Sequence, residues 1–307
     1  MSVSCSPRAG RRSRRCGGSP GGSKRGMDQG SAGELLRRIC AWAEQRPDIR
    51  ALVLTGSHAR GQADNLSDLD LEFFTREPER YVQSDRWMAD IGAVGVYLSL
   101  QNDRGLPTRL VIFDDGLKAD FTICPVAALV DGVRTRKLAP LYERGYRVLV
   151  DKDGMAGRLP AASLKPSASV PPTEEAFTNI VREFWFEIYH VAKYLKRGDL
   201  WAVKYRDWMT KELLLTMLGW NERALHGWDR QTEHLGIRME EWVGPEVWAR
   251  LMGAFAHFDA ADSWKALDVT ADLFRRVAQE TASRLGYCYP QDVDERLSRY
   301  VESLRGQ

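Results

Sequence analysis

Two acidic residues two positions apart, Asp68 and Asp70, lie in the stretch SDLDLEFF, which follows a Gly-Ser step at Gly56-Ser57 in LTGSHARG. Side chains alternate along a strand, so a two-residue step points both carboxylates to one face. Two ionised carboxylates at that spacing repel each other. Hard divalent cations relieve the repulsion, and Mg²⁺ in particular takes carboxylate oxygens together with substrate phosphates. A pair of such ions can orient an attacking hydroxyl and stabilise charge on leaving pyrophosphate. The expected chemistry is magnesium-dependent nucleotidyl transfer from a nucleoside triphosphate at a two-metal site.

A third carboxylate is needed to complete metal coordination or to take the hydroxyl's proton. Asp120 is the candidate, an acid between Ala119 and Phe121 in the alternating segment KADFTICP. Asp68, Asp70 and Asp120 are therefore the expected catalytic and metal-holding residues. Gly56 would let the backbone approach the phosphates closely, and neighbouring amides could cradle them. The Ser57 hydroxyl adds a donor, and Arg60 either reaches a phosphate oxygen or lies on a solvated helix face. The bland reading of Asp-x-Asp alone is a surface strand or turn with capping acids. The Gly-Ser step upstream and the isolated acid downstream argue against it.

These residues require particular elements around them. Leu35, Leu36, Ile39, Trp42 and Ala43 recur at helical spacing behind Ser31, with Glu34 placed as in a capping box. Ala51–Leu54 reads as a buried strand, and Ser67–Phe73 as a strand with one wet face bearing Asp68, Asp70 and Glu72. A helix is expected over Glu79–Ile91, with Tyr81, Val82, Trp87, Met88 and Ile91 buried. Val94–Leu100 and Thr108–Phe113 read as paired strands joined by a turn at Asn102–Gly105, followed by strands Lys118–Cys124 and Arg147–Val150. Residues 154–172 are rich in Gly, Ala, Ser and Pro and read as a linker. Beyond them come long helical patterns: one from Thr173 with Phe177, Val181, Phe184, Trp185 and Ile188 on its apolar face, then helices near 200–220, 245–258, 262–285 and 291–305.

Charge narrows the partners. The 307 residues carry a net +2, but residues 1–26 hold seven Lys/Arg and no acid, which leaves 37 basic against 42 acidic side chains elsewhere, or −5. The acidic remainder disfavours a broad nucleic-acid face and suits a small cationic substrate. Residues 1–30, made of Gly, Ser and Arg, are expected to be a disordered basic tail, or to precede a true start at Met27. No apolar run spans a membrane and no secretory signal is present. Five scattered cysteines form neither a disulfide framework nor a zinc pattern and suit the cytoplasm. No Walker, dinucleotide-binding or H-E-x-x-H motif occurs.

The arrangement resembles the nucleotidyltransferase superfamily that includes DNA polymerase beta. More closely, from about residue 30 to the C-terminus it resembles the streptomycin adenylyltransferases (aminoglycoside 6-adenylyltransferases). LTGSHARG, SDLDLEFF, KADFTICP and VLVDKDG carry the catalytic likeness. EFWFEIYHVAKYL, WAVKYRDW, LLLTMLGW, WKALDVTADLFRRVAQETA and LGYCYP carry it through the helical half. The resemblance implies an α/β N-terminal nucleotidyltransferase domain, a mixed sheet with flanking helices, over 31–153. An all-α helical-bundle domain binding substrate is implied over 173–307. It further implies ATP as donor, Mg²⁺, and AMP transfer to an aminoglycoside hydroxyl in a cleft between the domains.

Departures are His58, where relatives often have Arg, and the segment Asn221–Gly236. By the resemblance, Lys193 or Lys204 reaches the triphosphate; the plain alternative is a solvated lysine. Glu183, Glu187 and Asp207 could bind ammonium groups of the acceptor or act as base, or else pair with Lys and Arg on helix surfaces. The tryptophans of this half (Trp185, Trp201, Trp208, Trp220, Trp228, Trp242, Trp248, Trp264) are expected in the core before they are expected as sugar platforms. Two other functions stand beside the leading one. The same reaction could act on a protein, as in toxin–antitoxin systems, or on RNA, or the fold could serve a non-catalytic nucleotide-binding protein.

Overall fold

Ser31 accepts a hydrogen bond from the Glu34 N–H at 3.2 Å, which caps α1 (Ala32–Glu44). The computed structural model describes residues 31–164, 169–232 and 234–305. The tail expected over 1–30 lies outside them. The chain divides into two compact units. The first runs to Leu141 and resumes over Gly145–Ala161; the second holds Tyr142–Arg144 and continues from Ala162.

After α1 come β1 (Ile49–Thr55), α2 (Gly56–Arg60), β2 (Leu69–Thr75), α3 (Pro78–Gln83), β3 (Val94–Gln101), β4 (Pro107–Phe113), β5 (Lys118–Pro125), α4 (Val126–Thr135), α5 (Pro140–Glu143) and β6 (Arg147–Asp151). The six strands form one mixed sheet in the order β3-β4-β5-β2-β1-β6. β2 and β5 are parallel, and the other pairings are antiparallel.

One face of this sheet is sealed by aromatic packing. Trp42 of α1 meets Phe73 edge to face at 5.4 Å, and Trp87 meets Phe121 at 5.3 Å. Leu69, Leu71, Phe73, Ala119, Phe121 and Ile123 are all buried there. With period two, that burial turns Asp70 and Asp120 to the opposite face, and a slip of one residue would invert both strands.

Three local expectations change. The helix expected over Glu79–Ile91 is two pieces, α3 and a 3₁₀ turn over Arg86–Asp90. Ser84 is extended and Asp85 turns to accept Arg109 Nε at 2.6 Å, leaving Val82 exposed. The strand bearing the acids starts at Leu69, so Asp68 sits on its entry. Its second face is not wet at Glu72, which is 2% exposed and paired with Arg104 of the β3–β4 turn. At the far edge, β3 is exposed along most of its length.

The second unit contains α6 (Glu174–Arg197), α7 (Leu200–His226), α8 (Met239–Trp242), α9 (Pro245–Leu251), α10 (Ala260–Leu285) and α11 (Gln291–Arg305). Thr173 and Asp259 cap α6 and α10, and Gly198 and Gly286 end them in the left-handed conformation. α7 continues six residues past the expected end because Asn221 and Glu222 are buried within the unit. Phe184 stacks on Phe274 at 3.6 Å at the centre of the bundle. Asp294, 2% exposed, accepts from Arg275 and from Tyr289, whose hydroxyl also accepts Trp185 Nε1. Among the described residues no helix is long and apolar enough to cross a membrane.

Candidate active site

β1 ends at Thr55, and the chain turns at Gly56 into the single turn α2. Gly56 has φ +69°, and a Cβ built on it would lie 1.8 Å from Asp70 Oδ2. Glycine is therefore required twice, by backbone conformation and by the carboxylate resting against it. Gly61, also left-handed, closes α2. The following loop is braced by its own polar groups: Ser67 Oγ and the Leu66 N–H both donate to Asp64 Oδ1 at 2.9 Å. His58 Nε2 lies 3.1 Å from the Ser67 carbonyl. The result fixes the approach of Asp68 to β2.

Asp70 and Asp120 are register partners on β2 and β5. Asp68 joins them through a side chain that sequence reasoning passed over, Lys118. Its Nζ donates to Asp68 Oδ2 at 2.5 Å and to Asp120 Oδ2 at 3.0 Å. Nζ also stands 2.9 Å from Asp120 Oδ1, off the angle of a hydrogen bond, and that oxygen is buried with no donor. The K-x-D spacing was the available signal, since it puts Lys118 and Asp120 on one face. The structure thus gathers Asp68, Asp70 and Asp120 on the side of the sheet away from the aromatic core.

Electrostatics follow from this crowding. Burial raises the Asp70 pKa, and the Asp120 and Asp68 charges push the same way against Lys118 and Arg60. Burial also raises Asp120, with Lys118 opposing it. For Lys118 burial disfavours the ammonium, but its bonds to Asp68 and Asp120 outweigh that and hold its pKa up. Such a cluster of hard oxygens is of the kind that could hold Mg²⁺ together with substrate phosphates. Among the described residues no three His, Cys, Asp or Glu side chains are placed to hold a metal ion by themselves. A cage is not required, because Mg²⁺ keeps waters and shares its coordination with substrate phosphates.

The remaining expected contacts sit as follows. Ser57 is half-buried on α2, and Arg60 Nε donates to Gln62 at 2.9 Å while its charge is felt at Asp70. In the helical unit, Lys193 lies over the Tyr189 ring at 5.1 Å, and Glu183 is exposed. Lys204 donates to the Ala256 carbonyl and to Ser263 Oγ at 3.0 and 2.9 Å. Glu187 is 6% exposed and accepts Arg206 at 2.9 Å. Asp207 accepts Lys211 at 2.6 Å. These last three already have partners within their own unit. Trp201 and Trp208, expected in the core, are 83% and 58% exposed. A cavity of about 840 Å³ in this unit is lined mainly by apolar side chains such as Leu214, Leu218, Trp248 and Leu251, with Glu212 and Glu240 also at its wall.

Comparison with known proteins gives a consistent picture. A family model described as streptomycin adenylyltransferase matches residues 30–304. An aminoglycoside 6-adenylyltransferase of Campylobacter jejuni is 27% identical over 278 residues, covering 87% of this chain and 93% of that protein. One from Bacillus subtilis is 24% identical over 281 residues, covering 88% and 96%. The crystal structure of an aminoglycoside 6-adenyltransferase from Bacillus subtilis aligns over 92% of this chain and 98% of its own, at 20% identity and a TM-score of 0.45.

Proposed function

The chain belongs to the streptomycin adenylyltransferase family and is a nucleotidyltransferase, and from that premise we propose that it transfers AMP from ATP to a hydroxyl of an aminoglycoside such as streptomycin. The observation that carries this reading is the convergence of Asp68, Asp70 and Asp120, with Asp70 and Asp120 in register and Asp68 and Asp120 sharing one ammonium.

Asp68, Asp70 and Asp120 are the residues that would hold Mg²⁺, which supplies charge neutralisation at the triphosphate and Lewis acidity at the phosphorus. The protein's own part is positioning and electrostatics. The glycine backbone at 56 leaves the strand end open to phosphate oxygens, with Ser57 and Arg60 as the nearest donors. One of the three carboxylates accepts the acceptor hydroxyl's proton. Lys193 and Glu183 are the contacts proposed for the helical unit, to the triphosphate and to an acceptor ammonium. Lys204, Glu187 and Asp207 enter as residues that maintain that unit's shape.

An acidic protein apart from its first 26 residues favours a polycationic acceptor over nucleic acid. Unpaired Cys40, Cys124 and Cys288 support placement in the reducing cytoplasm. The test is incubation with ATP, Mg²⁺ and a panel of aminoglycosides, followed by mass spectrometry. A gain of one AMP unit on streptomycin is expected. Adducts on a protein, and on no drug, would move the reading to a protein acceptor.

A further inference from the structure

We propose that Lys118 is a built-in placeholder cation, occupying the space between Asp68 and Asp120 until a divalent metal displaces it. The proposal rests on the assignment of these carboxylates as metal holders. Lys118 shares a strand face with Asp120, and the opposite face is filled by Phe121 and its aromatic neighbours, so the side chain cannot turn into the core. Its ammonium lies 2.5 Å from Asp68 and 3.0 Å from Asp120. Asp68 and Asp120 would hold the ion through the same oxygens that the ammonium now engages, so ion and ammonium compete for them. Lys118 is 28% exposed, and its long stem gives the head a route to water. Holding the carboxylates in place before loading avoids bare repulsion among three acids.

This makes metal affinity a competition. Replacing Lys118 by methionine keeps the stem and removes the competitor. Mn²⁺ binding is measured calorimetrically, without nucleotide, in wild type, Lys118→Met, Lys118→Arg, Lys137→Met and Asp70→Asn, with thermal unfolding in EDTA as a check on folding. Lys118→Met should bind Mn²⁺ about fivefold tighter, the factor expected for an exposed ion pair no longer broken on binding. Lys118→Arg, which keeps the charge, should bind no tighter than wild type. Lys137→Met, which removes an exposed lysine of the same unit, should change affinity less than about twofold. A lysine with only a structural role would lower the unfolding temperature without tightening Mn²⁺. Equal or weaker binding by Lys118→Met, with Asp70→Asn abolishing binding, overturns the placeholder and leaves the metal assignment standing. Absence of Mn²⁺ binding in every variant overturns both.

Discussion

Asp70 and Asp120 face each other as register partners on the only parallel strand pair among the described residues, and the Asp70 carboxylate rests against the bare Cα of Gly56. The register is set from the other side of the sheet, where Phe73, Trp87 and Phe121 interlock. The acids are thus placed by hydrophobic burial, with the glycine bend making room for one of them.

Gly56→Ala should be more harmful than its size suggests. The left-handed backbone costs about 1 kcal/mol for a residue with a Cβ. The new methyl group must also displace the Asp70 carboxylate, whose Oδ2 lies 1.8 Å from where it would stand. Turnover should fall about a hundredfold or more, while thermal unfolding shows a folded, moderately destabilised protein. Activity within twofold of wild type would contradict the geometry.

Asp70→Asn separates function from stability. Turnover should vanish, yet the metal-free variant should be about 1 kcal/mol more stable than wild type at neutral pH, as is common when a strained site is relieved. The Asp70 pKa is raised in the folded state by burial and by the Asp120 and Asp68 charges, against Lys118 and Arg60. Its contribution to stability is therefore fully present below its unfolded value and is lost as pH rises through the folded value. The advantage of the variant should accordingly shrink as pH falls into the ordinary carboxylate range. Unfolding curves in EDTA between acidic and neutral pH provide the check.

His58→Ala probes the loop that delivers Asp68. Removing the ring frees the Ser67 carbonyl, 3.1 Å from Nε2, while Asp64 still braces the loop. A tenfold loss in kcat, of the order expected for a misplaced catalytic group, should accompany a change in unfolding free energy below about 0.5 kcal/mol. Unchanged kcat would remove His58 from the account.

Glu187→Gln and Lys204→Met distinguish ligand contacts from internal ties. Glu187 is held by Arg206, and Lys204 by the Ala256 carbonyl and Ser263. Each variant should lose about 1–2 kcal/mol of stability while KM for ATP and for the acceptor stays within twofold. A tenfold rise in KM for ATP in Lys204→Met, without loss of stability, would restore it to the triphosphate.

Much of the candidate site was legible because strand periodicity is a strong signal: Asp70, Asp120, Phe73 and Phe121 lie on the sides that alternation assigns them. Lys118 carries the same alternation signal, but a lysine is not a metal ligand, so its type does not point to a metal site. The break in the helix expected over Glu79–Ile91 depends on Asp85 meeting Arg109, a tertiary contact that no local pattern encodes. Glu72 looked solvated for the same reason, since its cover arrives from Arg104, 32 residues away. In the helical unit, Thr173 marked the start of α6. α7 is apolar on several sides, with Trp201, Tyr205 and Trp208 exposed while Val203, Leu214 and Leu218 are buried. Composition could not say which of these stripes would face the core.

The parallel pairing of β2 with β5 has a consequence for how the protein acquires its chemistry. The partners Asp70 and Asp120 are 50 residues apart along the chain, with the whole β3–β4 hairpin between them. Such distant pairings are entropically costly and form slowly compared with local contacts. No hairpin or fragment short of the joined sheet contains the proposed reactive centre. During refolding, activity should appear no earlier than this non-local closure, so the enzyme reports on its own completion.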